Sequence, residues 1–298
     1  MTALRTPDEQ FASLPGFPFE PHYATTSDGL RVHYLDEGPR EANPVLLLHG
    51  EPSWSYLYRK VIPVLVDSGH RCVAPDLVGF GRSDKPSDQA DYSYLRLVDW
   101  TRDVVFDQLD LRDITLFGQD WGGLVGLRLV AEQPERFARV VVANTGLPTG
   151  EAKPTDAFLN WQSFAKQAKE FPVGRIVSGG CATPMDEAVI AAYDAPFPDD
   201  SYKAGPRALP SLVPTAPDDP AHDANVRAWE VLHKFERPLL CAFSDSDPIT
   251  KGGERAFIGR VPGADNQPHT TIVGAGHFLQ EDKGEELGRV IAEFIAKT

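Results

Sequence analysis

The sequence predicts an α/β protein: a mostly parallel sheet, helices on both faces, and a helical insertion before the last quarter of the chain. Three observations predict it. A hairpin opens the chain, short apolar strand candidates then alternate with helical patterns, and this alternation stops near Gly146 and resumes near Asp223. Antiparallel strands followed by βα repeats favour a sheet whose crossover helices cover both faces.

Tyr23–Thr26 and Leu30–Asp36 flank Ser27-Asp28-Gly29, a turn signal between two alternating runs. The strand candidates that follow are Val45–His49, Arg71–Pro75, Ile114–Gly118, Val140–Ala143, Leu239–Ser244 and Thr270–Val273, so that eight strands are expected in all. Helical periodicity marks Tyr56–Val66, Leu95–Leu109, Leu124–Glu132, Ala224–His233, Glu254–Ile258 and Glu285–Ala296. The interrupted stretch carries two proline clusters, Pro196-Phe197-Pro198 and Pro214-Thr215-Ala216-Pro217, with short amphipathic segments at Asp156–Lys169 and Asp186–Tyr193. A disordered loop would lack large apolar groups such as Phe158, Trp161, Phe164, Ile176, Val189 and Tyr193. The expectation is a helical cap over 147–223, set on a core formed by 1–146 and 224–298.

The 298 residues are 42% hydrophobic, enough for a substantial core, and carry a formal charge of −14. That charge disfavours nucleic acid and anionic membrane as partners and suits a small or neutral ligand. Met1 to Pro21 shows no basic segment followed by an apolar run, and no window has the apolar length of a membrane span. Cys72, Cys181 and Cys241 are odd in number and far apart, without metal-ligand spacing. Together these predict a cytoplasmic, monomeric protein with reduced cysteines and no metal.

The most specific local signal is Gly118-Gln119-Asp120-Trp121-Gly122-Gly123, directly after an apolar run. It has the layout of a nucleophile elbow, with Asp120 where serine is usual. Serine attacking saturated carbon would give an ether, which water does not readily reverse. Aspartate gives an ester, which a base and an oxyanion site hydrolyse. His49-Gly50-Glu51-Pro52 follows one strand candidate and places backbone N–H groups where an oxyanion could be held. Gly276-His277-Phe278 follows the last, and Ser244-Asp245-Ser246-Asp247-Pro248 offers two carboxylates to orient the histidine. Blander roles exist for each: helix capping for Asp120, a backbone-satisfied loop position for His277, a solvated charge for Glu51. Of the five tryptophans, Trp54, Trp100 and Trp229 need only packing roles. Trp121 adjoins the elbow and Trp161 lies in the expected cap, where two indole N–H groups could converge on a departing anion. Gly79-Phe80-Gly81-Arg82-Ser83 lacks the third glycine and following helix of a dinucleotide loop.

Taken together, these segments resemble the haloalkane dehalogenases of the α/β-hydrolase superfamily over nearly the whole chain. The resemblance is carried by His49 to Arg59 (HGEPSWSYLYR), Asp76 to Pro86 (DLVGFGRSDKP), the Asp120 elbow, Ala195-Pro196-Phe197-Pro198-Asp199, and Gly276 to Glu281 (GHFLQE). Glutamate after His-Gly, with the acid after Leu239–Ser244, resembles the subfamily that binds halide with two tryptophans.

The resemblance implies cofactor-free hydrolysis of a haloalkane, with water as second substrate and halide as product. It implies Asp120 as nucleophile, His277 as base and Asp247, which precedes proline, as the orienting acid. Backbone N–H groups of Glu51 and Trp121 would form the oxyanion hole, and Trp121 and Trp161 would bind halide. Phe158, Phe164, Leu209, Pro210, Val213 and Ile249 are the expected apolar pocket wall. The same fold and nucleophile would serve an epoxide hydrolase, which needs lid tyrosines such as Tyr193 or Tyr202. A fluoroacetate-type enzyme would need an arginine near the elbow, and none is there. A catalytically silent ligand-binding module would not need Asp120, Asp247 and His277 together.

Overall fold

A computed structural model describes all residues from Met1 to Thr298. One sheet holds eight strands: β1 (His22–Thr25), β2 (Arg31–Glu37), β3 (Pro44–Leu48), β4 (Arg71–Pro75), β5 (Ile114–Gln119), β6 (Phe137–Ala143), β7 (Leu239–Ser244) and β8 (Thr270–Ile272). Their spatial order is β8-β7-β6-β5-β3-β4-β2-β1. β1 pairs antiparallel with β2, and β2 with β4; the other pairings are parallel. β3, β5 and β7 are buried at every residue, as strands covered on both faces must be.

The two faces carry separate cores. Leu46, Leu48, Leu116, Val140 and Val142 pack with residues of α2 (Tyr94–Arg102), α3 (Trp121–Glu132) and α8 (His222–Leu232). Their alternating neighbours Val45, Leu47, Phe117 and Val141 pack against α1 (Ile62–Asp67) and α9 (Leu279–Lys297). This is the two-residue period of a strand read out as two layers.

Several expected boundaries shift for local reasons. The helix expected over Tyr56–Val66 divides into a 3₁₀ turn at Ser55–Tyr58 and α1, where Pro63 sits in the first helical turn. That expected over Leu95–Leu109 is α2, capped by Ser93, followed by π-helical winding from Asp103 to Gln108. Glu254–Ile258 reduces to a 3₁₀ turn at Gly253–Ala256. α9 starts six residues before the expected Glu285, because its first turn belongs to the histidine loop and is offset at Lys283. Ala3–Leu4 pairs with Lys85–Pro86 in a two-residue ladder that no sequence signal indicated.

Between β6 and β7 the regular elements are all helical: α4 (Asp156–Gln167), α5 (Val173–Gly179), α6 (Glu187–Asp194), α7 (Ala204–Ala208) and α8, joined by irregular segments. α8 packs beside α3 in the layer on the sheet. α4 and α5 contribute Phe158, Trp161 and Ile176 to a cavity of about 1070 Å³, whose other wall is the loops at the strands' C-terminal ends. Ligands of open α/β sheets bind at that end. No helix is long and apolar enough to cross a membrane.

Candidate active site

Asp120 is the single residue between β5 and α3, at φ 51° and ψ −128°. A non-glycine residue there is strained, and such strain persists only where surrounding packing enforces it. The enforcement is visible in two glycines. A Cβ on Gly122 would lie 1.8 Å from the Leu48 carbonyl oxygen, and one on Gly50 would lie 2.4 Å from both Cβ and Oδ1 of Asp120. The Asp120 side chain makes no capping bond to α3. Its Oδ1 instead accepts the Glu51 backbone N–H at 2.8 Å. Trp121 opens α3, so its backbone N–H is one of the first-turn donors without an intrahelical partner.

His277 stands opposite, with Nε2 at 3.5 Å from Asp120 Oδ2 and Nδ1 at 3.0 Å from Asp247 Oδ2. Of the two carboxylates after β7, only Asp247 reaches the histidine. Asp245 is exposed and accepts the Gly274 N–H at 2.9 Å. Asp247 is buried and also accepts the Ile249 N–H at 2.9 Å and the Thr250 hydroxyl. Burial alone would raise its pKa, but His277 and these donors hold it below the usual value. Burial alone would likewise lower His277; the carboxylates of Asp247 and Asp120 outweigh it and push the imidazole up to about 10. Glu51, also lining the cavity, has no cationic partner at bonding distance. Burial, with Asp120 nearby, raises its carboxyl well above the carboxylate range, and its Oε1 is buried without a partner.

The tryptophans divide by what their N–H groups do. Trp54 donates to Ala192 O at 3.2 Å, Trp100 to Asp28 Oδ2 at 3.0 Å and Trp229 to Leu147 O at 2.7 Å. Trp121 and Trp161 both line the cavity beside Asp120, and the Trp161 indole is turned toward the Glu51 carboxylate. Trp229 lines the cavity too, but its donor is already engaged.

Of the expected wall, Phe158, Pro210, Val213 and Ile249 line the cavity, whereas Phe164 and Leu209 do not. Phe164 is 44% exposed and stacks on the outer side of Trp161, with ring centroids 5.7 Å apart. Leu209 is fully buried in the core. Sequence reasoning missed Leu124, Leu147, Ile176, Pro248 and Phe278, which complete the apolar wall. It also missed Gln119 and Asn144, both fully buried behind the histidine. Asn144 Nδ2 donates to the His277 carbonyl at 3.0 Å, and Gln119 Nε2 does so at 3.1 Å. Their one sequence signal was an amide at, or just past, the C-terminal end of a largely apolar strand.

A strained aspartate elbow, a buried His–Asp pair and a neighbouring backbone donor on this sheet define an α/β-hydrolase. A family model described as alpha/beta hydrolase fold matches residues 43–284. The haloalkane dehalogenase of Psychrobacter cryohalolentis is 56% identical, covering 99% of this chain and 98% of that one. The haloalkane dehalogenase of Mycolicibacterium paratuberculosis is 52% identical, covering 98% and 97%. The tetrameric structure of haloalkane dehalogenase DpaA from Paraglaciecola agarilytica aligns with a TM-score of 0.92 at 36% identity, covering 100% of this chain and 99% of that one. Within the α/β-hydrolases, the chain belongs to the haloalkane dehalogenase family.

Proposed function

We propose that this chain hydrolyses the carbon–halogen bond of uncharged haloalkanes to a primary alcohol, halide and a proton, through a covalent ester on Asp120. The observation that supports it most directly is a carboxylate, not a hydroxyl, at the elbow, with one oxygen held by the Glu51 N–H and the other toward His277.

An Asp120 oxygen attacks the halogen-bearing carbon; the carbon–oxygen bond forms as the carbon–halogen bond breaks, and halide leaves with the bonding pair. The indole N–H groups of Trp121 and Trp161 stabilise that charge as it develops, in a largely apolar cavity where fixed dipoles need no solvent reorganisation. Alkylation makes Asp120 neutral and so removes one of the two charges holding the proton on His277; that proton is given up to solvent and is the one the reaction releases. The histidine, oriented by Asp247, then takes a proton from water as that water attacks the Asp120 carbonyl carbon. The Glu51 and Trp121 backbone N–H groups hold the oxyanion; its collapse breaks the ester carbon–oxygen bond, and the leaving oxygen takes the proton from His277 to give the alcohol. Glu51, whose charged form burial disfavours, helps to position the water.

In this reading 147–223 is the cap that closes the cavity against solvent. The epoxide reading lacks its acids, since neither Tyr193 nor Tyr202 lines the cavity and the Tyr193 hydroxyl donates to Glu281 at 2.7 Å. A monomer is the state proposed. Bromide release from 1,2-dibromoethane, with no diol from styrene oxide, is the expected result. Diol without bromide would overturn the proposal.

A further inference from the structure

Gln119 lies directly before the nucleophile, yet it does not line the cavity and has no exposed surface. The orientation of its amide is set by its neighbours. The His277 carbonyl oxygen can only accept, so the Gln119 atom 3.1 Å from it is the NH₂ group. Oε1 then accepts from Gln280 Nε2 at 3.3 Å. The same NH₂ group lies 3.2 Å from His277 Nε2. An amide N–H can bond to that nitrogen only when it bears a lone pair; a protonated Nε2 would set two N–H dipoles head to head. The Gln119 contact is thus a hydrogen bond when the ring is neutral with its proton on Nδ1 toward Asp247, and a pair of opposed dipoles when the ring is charged.

We propose that Gln119 is a positioning residue that favours the neutral form of His277 over the imidazolium during hydrolysis of the ester. The inference rests on the assignment of Asp120 as nucleophile and His277 as base. Other groups act on the same ring. Asp120 at the elbow and Asp247 after β7 favour the imidazolium, and Glu51 after β3 lies close enough to feel its charge. Cys181 after α5 lines the same cavity, and burial keeps its thiol protonated. Before displacement, the Asp120 and Asp247 carboxylates dominate and the ring is charged. Once Asp120 is an ester, one of them is gone, and the Gln119 dipole tips the balance toward the base.

The test separates the two half-reactions by rapid quench with 1,2-dibromoethane across a pH series. For Gln119→Met, a similar volume without the N–H, the bromide burst should persist. Ester hydrolysis should slow about tenfold near neutral pH, the worth of one hydrogen bond. Its pH limb should move up by about one unit, the equivalent of that factor. Gln119→Glu, which adds a charge beside Nε2, should move the limb further in the same direction and decides the matter if the methionine variant does not fold. Unshifted limbs, limbs moved to lower pH, or a loss uniform across pH would overturn the proposal. His277→Ala distinguishes the two levels of the argument. If it accumulates no ester, the site assignment has failed. If it accumulates ester while both Gln119 limbs stay unshifted, this inference alone has failed.

Discussion

Replacing His277 by alanine should divide the reaction at its midpoint. The displacement step needs an ionised Asp120 and a place for halide, and neither is supplied by the imidazole. The hydrolytic step needs a base, and the groups that surround His277 are poor substitutes. Burial disfavours the charged form of Glu51, Asp247 lies behind the ring at Nδ1, and burial likewise raises the Cys181 thiol. Loss of a positioned general base costs about 10²- to 10⁴-fold, so hydrolysis should slow by that factor. Carbon–halogen cleavage should change by less than about tenfold, since removing the cation 3.5 Å from Asp120 Oδ2 alters its surroundings but not its chemistry. Mixed with excess 1,2-dibromoethane, the variant should release close to one bromide per enzyme and then stall, as a trapped intermediate does. Intact mass should increase by one bromoethyl group, and peptide mapping should locate it on Asp120. Asp120→Ala should give neither burst nor adduct. An unmodified His277→Ala protein with no burst would mean that the histidine acts before displacement, and the two-step ester mechanism would be wrong.

Trp121→Phe and Trp161→Phe should each weaken halide binding, read by fluorescence quenching, and slow cleavage by on the order of 10²-fold, the usual cost of one aimed donor. Trp54→Phe, whose N–H is tied to Ala192, should leave halide affinity unchanged; equal effects in all three would return the pair to packing roles. Leu209→Ala should lower stability in urea by about 2–5 kcal/mol as a core truncation, whereas the half-exposed Phe164→Ala should cost about 0.5 kcal/mol or less. A large change in KM from either would restore it to the wall of the cavity. The folded-state pKa of His277 is raised from 6.5 to about 10, so its contribution to stability is complete below 6.5 and is lost as pH climbs toward 10. Asp120→Asn removes one of the two supporting charges and should bring that alkaline loss to lower pH in thermal melts; an unmoved transition would count against the Asp120–His277 interaction.

What this sequence determined by itself was local. An apolar strand followed by Gly118-Gln119-Asp120-Trp121-Gly122 specifies a turn that only certain side-chain sizes permit, and the eight-stranded sheet follows from two-residue and helical periods that neighbouring residues set. The order of Asp120, the acid after β7 and His277 along the chain is legible for the same reason, because each sits at the end of its own strand signal. Tertiary structure decided everything that depends on which way a side chain is faced by distant partners. Asp245 and Asp247 are chemically alike and two residues apart; the loop geometry ties one to Gly274 and brings the other to His277, and no propensity separates them. Phe158 and Phe164 lie on one helix with similar apolarity, but its docking on the core aims Phe158 into the cavity and leaves Phe164 on the outer side. Gln119 reads as a polar residue at a strand end, and only the approach of a loop 158 positions away puts its amide against the histidine. Periodicity encodes a residue's face on its own element, whereas a site is made by the contacts between elements.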